Sequence, residues 1–410
     1  MTVYLSNTRR LYQADSYLCE FDSVVTALTK TQNGYATALE ATLFYPETGG
    51  QPCDTGSIGA TEIERAIEDG DLILHIASRE PSFKVGDRVT GRIDWPRRFI
   101  NRQQHTGQHI LSQAFLKVLD AETVSSRLGL DHSTIDIARL GLTWEDMERV
   151  ERLANSIVYE NREVKIYEAA PDRLEGVRAK KAPAGDLLRI VEVADFDVSP
   201  CGGTHSRRTG EVGLVKILRW EKVREATRVE FVCGRLAEAD YFWKNRAVVE
   251  IAQEFTIKDT QVPSMVRDLN EGAKVLRREV AKLKARIAEY EVLDLLAKSQ
   301  TVEGTRLITA TFDDKSPAEL RETAARLTAQ GGTVALLAAR GEKVHFVFSR
   351  SPDVASADMR SLIEIACRLT EGKGGGRAEV CEGGGKNPGR TEGALEQAVE
   401  LLKRMLAGSQ

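Results

Sequence analysis

The sequence predicts an α+β multidomain protein: a small N-terminal β-barrel, a mixed α+β domain, a helical arm and a C-terminal α/β domain. Three observations carry this. Apolar residues recur with a period of two up to Trp95 and with a period of about 3.6 from Pro96 onward. Beyond Leu236 a stripe of three- and four-residue steps sets in, and the last hundred or so residues alternate strand and helix patterns. A length of 410 residues with 42% hydrophobic content supplies cores for roughly two to four domains.

Up to about Trp95 the segments TRRLYQ, YATALEATLFY, DLILHIA and RVTGRIDW are rich in β-branched and aromatic residues and are separated by PETGGQPCDTG and KVGDR. Short strands between Gly, Pro and Asp clusters predict an antiparallel barrel over 1–95, with 48–56 a shaped turn. Pro96 suits a first helical turn, and Phe99, Ile110, Leu111, Phe115, Val118 and Leu119 share one side of the long helix that follows. Thr143 caps a second helix, whose early Glu145 and Asp146 favour the positive end of its dipole. Strand VKIYEA, helix PDRLEGVRAKK and strands LLRIVEVADF, VGLVKILRW and TRVEFVCG complete a domain over 96–235.

In the arm, over 236–300, Val266, Leu269, Ala273, Leu276, Val280, Leu283, Ile287 and Tyr290 form a heptad seam. The seam fits a hairpin with the helix around YFWKNRAVVEIAQEF or pairing with a second copy, a homodimer. Over 301–410, strands LITATF, TVALLAAR and KVHFVFSR alternate with helices SPAELRETAARLTAQ and ADMRSLIEIACRLTE, then a Gly-rich loop and a final helix.

Charge and cysteine usage narrow the function classes. Lys plus Arg total 57 against 61 Asp plus Glu, a net charge of -4, so any nucleic-acid contact must be local. No apolar run reaches the roughly 18 residues of a membrane span, and MTVYLSNTRRLY lacks an export signal's apolar core, so a cytoplasmic protein with no membrane partner is expected. Six scattered cysteines then suggest metal or nucleophile chemistry rather than a disulfide framework.

His105 and His109, four apart on the long helix, lie about 40° apart around its axis and can share one ion. Cys201-Gly202-Gly203-Thr204-His205 adds a thiolate and an imidazole from a flexible loop. Three imidazoles and a thiolate form a tetrahedral Zn²⁺ set, softer than the oxygen cages of Mg²⁺ or Ca²⁺. The residues after His105 read Thr106-Gly107-Gln108, without the glutamate of the zinc-protease HExxH helix, and the deaminase CxxC pair is also absent. No GxSxG elbow or nucleoside-triphosphate GxxxxGK[ST] loop occurs.

Taken together, QQHTGQHILSQAF, DVSPCGGTHSRRTGEVGLVKI and FYPETGGQPCDTG resemble the editing half of alanyl-tRNA synthetase and its free-standing relatives, the AlaX trans-editing proteins. The resemblance covers roughly residues 1 to 240. The heptad helix and the ending GKGGGRAEVCEGGGKNPG resemble the DHH-associated C-terminal domain of the same synthetase, the layout of the long AlaX form. With the barrel beginning almost at Met1, an aminoacylation core and tRNA charging are not expected. The resemblance implies hydrolysis of the ester in mischarged tRNA(Ala), chiefly Ser-tRNA(Ala) and also Gly-tRNA(Ala), with zinc held by His105, His109, Cys201 and His205.

Several further residues receive expected roles. Thr106 is expected to hydrogen-bond a serine hydroxyl, the Gly202 and Gly203 N–H groups to stabilise an oxyanion, and Gln51 and Asp54 to wall the pocket. Lys373 and Arg377 in the Gly-rich loop can meet phosphates or a nucleotide, ATP included, and by resemblance this module docks on the outer corner of tRNA. RAKKAP, HSRRTG and WEKVREATR are candidates to line the acceptor stem. His132 receives no ligand role, and His75 and His345, in strand patterns, are assigned to packing.

Overall fold

Twelve residues, Glu20–Thr31, form the strand around which the N-terminal part is built, in a computed structural model that describes residues 7–32, 34–170, 187–313 and 315–408. Chain contacts divide the protein into two units, 1–259 and 260–410, each described separately below.

In the first unit the seven-stranded sheet runs Thr61–Ile63, Gly56–Ile58, Arg88–Ile93, Glu20–Thr31, Gly34–Leu39, Leu72–Ala77, Arg65–Asp69. Its two edge strands are separated in sequence by Glu64 alone, so the sheet has curled until its edges nearly meet, as a small barrel requires. The central strand pairs through Glu20 to Val24 with Arg88–Ile93 and from Val25 onward with Gly34–Leu39. A register shift between Val25 and Ala27 accompanies this change of partner and supplies the bend. TRRLYQ departs from expectation: only Arg9–Arg10 is extended, and Leu11–Ala14 is a helical turn that buries Tyr12.

The helix Trp95–Leu119 starts on Asp94, whose carboxylate accepts from Arg97 N–H, with proline in the first turn. Its C-terminal half buries Ile110, Leu111, Phe115 and Leu119 with strands Ser133–Ile137, Ala226–Cys233 and Val215–Val223 of a four-stranded antiparallel sheet whose exposed edge strand is Thr123–Arg127. Helix Trp144–Tyr159 begins in the expected place, Thr143 and Asp146 forming a reciprocal capping box. A three-stranded sheet, Val164–Ala169, Leu188–Val193 and Asp197–Pro200, leads into the 201–205 loop. The expected helix PDRLEGVRAKK and the basic stretch RAKKAP lie outside the described residues. Helix Arg235–Glu254 ends this unit's regular structure.

In the second unit helix Val262–Ala297 carries the heptad seam, which is exposed from Val266 (54%) through Leu276 (62%) to Tyr290 (65%). The seam is therefore not buried within its own unit. A six-stranded sheet follows in the order Gln300–Val302, Thr305–Phe312, Thr333–Arg340, Val344–Arg350, Val380–Gly385, Gly372–Gly376. Alternate residues feed two cores: Val334, Leu336 and Ala338 pack with helices Met359–Leu369 and Thr391–Ala407, whereas Ala335, Leu337 and Ala339 pack with Pro317–Thr328.

The expected Gly-rich loop is instead a β-hairpin, Gly372–Gly376 paired with Val380–Gly385. Glycine lets the strands approach so closely that a Cβ at Gly372 would overlap the Gly384 carbonyl. No helix among the described residues is long and apolar enough to cross a membrane.

Candidate metal centre

The N-terminal half of helix Trp95–Leu119 is polar in sequence yet almost wholly buried: Arg98, Asn101, Arg102, Gln103, Gln104, His105, Thr106, Gln108 and His109 are all under one-tenth exposed. Burial of so many polar groups demands partners, and the surrounding elements supply most of them, Arg102 Nη1 being an exception. Gln104 exchanges hydrogen bonds with the backbone of Cys233, at 2.8 and 3.0 Å. Arg102 donates to the His205 carbonyl at 3.0 Å and lies over the Tyr17 ring, 3.4 Å from its centroid. The helix is thus held at a fixed depth against the barrel on one side and the 201–212 segment on the other.

This fixed helix carries two of four converging ligand atoms. His105, His109, Cys201 and His205 each present one donor atom, and these atoms all lie within 4.8 Å of one another. Cys201 Sγ is 3.3 Å from His105 Nε2 and 3.3 Å from His205 Nε2. Bonds of about 2.3 Å to sulfur and about 2.0 Å to nitrogen around a tetrahedral ion put S and N about 3.5 Å apart, so the group fits a metal ion of that kind.

Every imidazole has its other nitrogen engaged, which sets the ring orientation. His105 Nδ1 is 2.7 Å from Gln51 Oε1, His109 Nδ1 is 3.3 Å from Asp197 Oδ2, and His205 Nδ1 is 3.2 Å from Thr106 Oγ1. Asp197 is itself held by the Ser199 hydroxyl at 2.9 Å. Arg189, on strand Leu188–Val193, donates to the carbonyls of Cys201 and Gly203, at 2.6 and 3.0 Å, and so shapes the loop. A Cβ at Gly203 would fall on the His105 ring, so only glycine lets the loop close over the helix.

Electrostatics favour ligation. Burial drives the His105 imidazole down to about 3, helped by the charge of Arg189, so it stays neutral. His205 is also held well below its ordinary value, by burial and then by His105, His109 and the two nearby arginines. Burial alone would raise the Cys201 thiol, but hydrogen bonding and charge from His109, the Gly203 N–H and Arg189 hold it below the usual range. The neutral imidazoles of His105 and His205 beside an ionisable thiol are in the form a cation binds.

The remaining expected residues lie around this group. Thr106 is fully buried, its hydroxyl engaged by His205 Nδ1 and by the Ser206 N–H at 3.0 Å. The Gly203 N–H points to Cys201 Sγ at 3.5 Å, while beside Gly202 a Cβ would meet nothing within 4 Å, so the loop is open to an approaching ligand there. Asp54 is 0% exposed and paired with Arg98; the Gln51 side chain is buried against His105 and Thr204, while its turn, 50–53, lines a cavity of about 570 Å³ with Glu47 and Arg127. Asp197 and Arg189 escaped the sequence reading, although a carboxylate four residues before Cys201 was a usable signal.

Lys373 and Arg377 lie at opposite ends of strand Gly372–Gly376, about 13 Å apart along it. Lys373 joins Lys315, Arg340, Lys343 and Lys386 around a cavity of about 680 Å³ in the second unit. In the two basic stretches that are described, Arg207 pairs with Asp15 at 3.1 Å and Arg228 with Asp136 at 2.8 Å. His75 is buried in the barrel as expected; His345 pairs with Glu382 at 3.6 Å, and His132 is 45% exposed in its side chain.

Three stretches match known families: residues 12–97 the class II (A) tRNA synthetases, residues 188–229 the threonyl and alanyl tRNA synthetase second additional domain, and residues 304–408 the DHHA1 domain. The chain is 32% identical over 412 residues to the alanine-tRNA ligase of Pyrococcus abyssi, covering 97% of this chain and 44% of the ligase. It is 29% identical over 409 residues to the alanyl-tRNA editing protein AlaX-L of Pyrococcus horikoshii, covering 97% of this chain and 99% of that protein. A crystal structure of the C-Ala domain from Aquifex aeolicus alanyl-tRNA synthetase is 32% identical, covering 27% of this chain and 97% of that one, with a TM-score of 0.24. The chain spans less than half the length of the ligases it matches.

Proposed function

We propose, proceeding from this chain's membership of the family shared by alanyl-tRNA editing proteins and the matching half of alanine-tRNA ligases, that it is a zinc-dependent aminoacyl-tRNA deacylase acting in trans. Its substrate is mischarged tRNA(Ala), chiefly Ser-tRNA(Ala) and also Gly-tRNA(Ala), cleaved at the ester in the cytoplasm. The observation that carries this is the convergence of His105, His109, Cys201 and His205 beside the open flank at Gly202.

His105, His109, Cys201 and His205 would hold the ion, which supplies Lewis-acid character when bound. The chain's own residues do the rest. The Gly203 N–H supports the Cys201 thiolate, leaving the Gly202 N–H to meet the oxyanion of an ester carbonyl under attack by water. Buried Thr106, Gln51 and Asp197 keep the imidazoles in one orientation. A site of fixed polar groups favours an amino acid that brings its own hydroxyl and disfavours alanine.

In the second unit the register places Arg340 opposite Val344, Val344 opposite Gly385 and Gly385 opposite Gly372. Lys343, Lys386 and Lys373 flank this row, and among the described residues none of the three forms an ion pair. A row of unpaired cations at one sheet end suits phosphates, and we assign it to tRNA. The exposed seam on Val262–Ala297 is assigned to a homodimer, checked by whether Leu276→Lys with Leu283→Lys converts a dimer to a monomer in sedimentation.

The test is deacylation of Ser-, Gly- and Ala-tRNA(Ala) with metal content measured on the same sample. Serine and glycine esters are hydrolysed, alanine spared, and His109→Ala loses both zinc and activity. Activity that survives complete zinc removal overturns the mechanism. Four protein donors that fill a tetrahedral ion favour a second reading, structural zinc in a non-catalytic tRNA-binding module, and a wild-type protein inactive on every mischarged tRNA decides for it.

A further inference from the structure

Gln51 sits in the barrel turn 48–53, far in sequence from every ligand, yet its amide reaches both halves of the metal centre. Oε1 is 2.7 Å from His105 Nδ1 and accepts from the Thr204 N–H at 3.1 Å; Nε2 donates to the Thr204 hydroxyl at 3.0 Å. The turn itself is closed by the Gln51 N–H on the Thr48 carbonyl at 3.0 Å, and the Leu128 N–H holds the Gly50 carbonyl at 2.8 Å. With Gln51 at 1% and Thr204 at 0% exposure, the amide cannot touch a substrate without leaving this network.

These contacts determine the His105 tautomer. A backbone N–H is an obligate donor, so the Gln51 atom facing Thr204 N must be the carbonyl oxygen. An oxygen that only accepts requires a donor from the other side, so His105 Nδ1 must carry the proton. The lone pair is then on Nε2, the nitrogen that lies 3.3 Å from Cys201 Sγ and faces the other ligands. The same oxygen cannot serve His205, whose Nδ1 meets the Thr106 hydroxyl, a group able to donate or accept. Gln51 thus ties the helix ligand His105 to the backbone of the Cys201–His205 loop.

We propose that Gln51 is a positioning residue for the metal centre: one amide oxygen selects the Nδ1–H tautomer of His105 and locks the 201–205 loop against it. This rests on the metal-dependent reading above, and it makes the barrel turn part of the ligand scaffold. Removing such a partner of a ligating histidine ordinarily weakens metal binding about 10- to 100-fold. A carboxylate at this position keeps both acceptor contacts.

The test uses the full-length zinc-loaded protein, its cobalt-substituted form, and the variants Gln51→Leu and Gln51→Glu. Chelator competition is expected to show about 10- to 100-fold weaker zinc binding in Gln51→Leu, and affinity restored to within a few-fold of wild type in Gln51→Glu. The cobalt visible bands shift in Gln51→Leu and stay in place in Gln51→Glu, while kcat for Ser-tRNA falls more than KM rises in Gln51→Leu. In zinc-loaded wild-type protein carrying ¹⁵N-histidine, His105 ligates through Nε2 and keeps a slowly exchanging Nδ1–H, a measurement that needs no variant to fold. Unchanged affinity and cobalt bands in Gln51→Leu, or His105 ligation through Nδ1, overturn the assignment while leaving the metal reading intact. A wild-type protein that binds neither metal overturns that reading and this assignment with it.

Discussion

Arg98 and Asp54 form an ion pair at 2.5 Å in which both side chains are 0% exposed. Asp54 also accepts the Tyr45 N–H at 2.7 Å, and Arg98 donates to the carbonyls of Ser16 and Leu43, at 2.9 and 2.6 Å, so the pair fastens the long helix to three separate parts of the barrel. Removing one partner leaves a buried charge without its counterpart, which costs about 3 to 5 kcal/mol. Asp54→Leu and Arg98→Met are each expected to lower the denaturation free energy by that amount, and the double variant by less than the sum. Full additivity in the double-mutant cycle would show that the two groups do not act as a pair.

Thr106 offers a direct choice between substrate recognition and support of the metal. Its hydroxyl holds His205 Nδ1 and the Ser206 N–H from a fully buried position. Thr106→Val, of similar shape but without the hydroxyl, is expected to weaken zinc binding about 10-fold or more in chelator competition. If the variant keeps wild-type affinity for zinc and loses only its preference for serine over alanine esters, the hydroxyl reads substrate instead.

His75 predicts a pH dependence of stability that owes nothing to metal. Buried in the barrel between the Thr42 hydroxyl, at 2.8 Å, and the Thr37 carbonyl, at 2.9 Å, its imidazole is driven down to about 4 by burial. The unfolded chain therefore binds the proton first as pH falls below about 6.5, so this contribution is complete above that pH and is lost progressively down to about 4. A depression of this size corresponds to about 3 kcal/mol. Urea denaturation at pH 7 and pH 4 should show His75→Gln losing less stability than wild type on acidification. Equal losses would mean that His75 charges without penalty.

The lysine row in the second unit predicts a salt dependence. Lys343, Lys373 and Lys386 are assigned phosphate contacts, and each lost contact lowers the slope of log affinity against log salt by about 1. Replacing all three by glutamine should weaken tRNA binding at low salt and flatten the slope by about 2 to 3, whereas Arg377→Gln, at the far end of the strand, should do less. An unchanged slope in the triple variant would place the tRNA elsewhere.

How much of this was legible beforehand differs by element. Thr143 caps its helix as expected, and His105, His109, Cys201 and His205, expected to share an ion, bring their donor atoms within 4.8 Å of one another. Burial of the long helix was not legible: Arg98, Arg102 and Gln104 look like a solvent face in sequence, because periodicity records polarity and carries no information on whether a polar group has found a partner. Strand Glu20–Thr31 was missed because its charged and apolar residues mix where it changes partner within the sheet. The hairpin at Gly372–Gly376 looked like a loop because glycine's lack of a side chain serves close strand approach as well as it serves turns.

The sequence by itself determined the donor chemistry of the centre, three imidazoles and one thiol, since those identities and their local spacings on a helix and a loop are properties of short segments. Only the tertiary structure decided which nitrogen of each ring faces the other donor atoms. That choice belongs to Gln51, Asp197 and Thr106. Gln51, 54 residues from His105, and Asp197, 88 from His109, come from other elements, and Thr106, on the ligand helix itself, serves a ring 99 residues away. A hydrogen bond between such distant residues exists only once the barrel, the helix and the 201–205 loop are packed together.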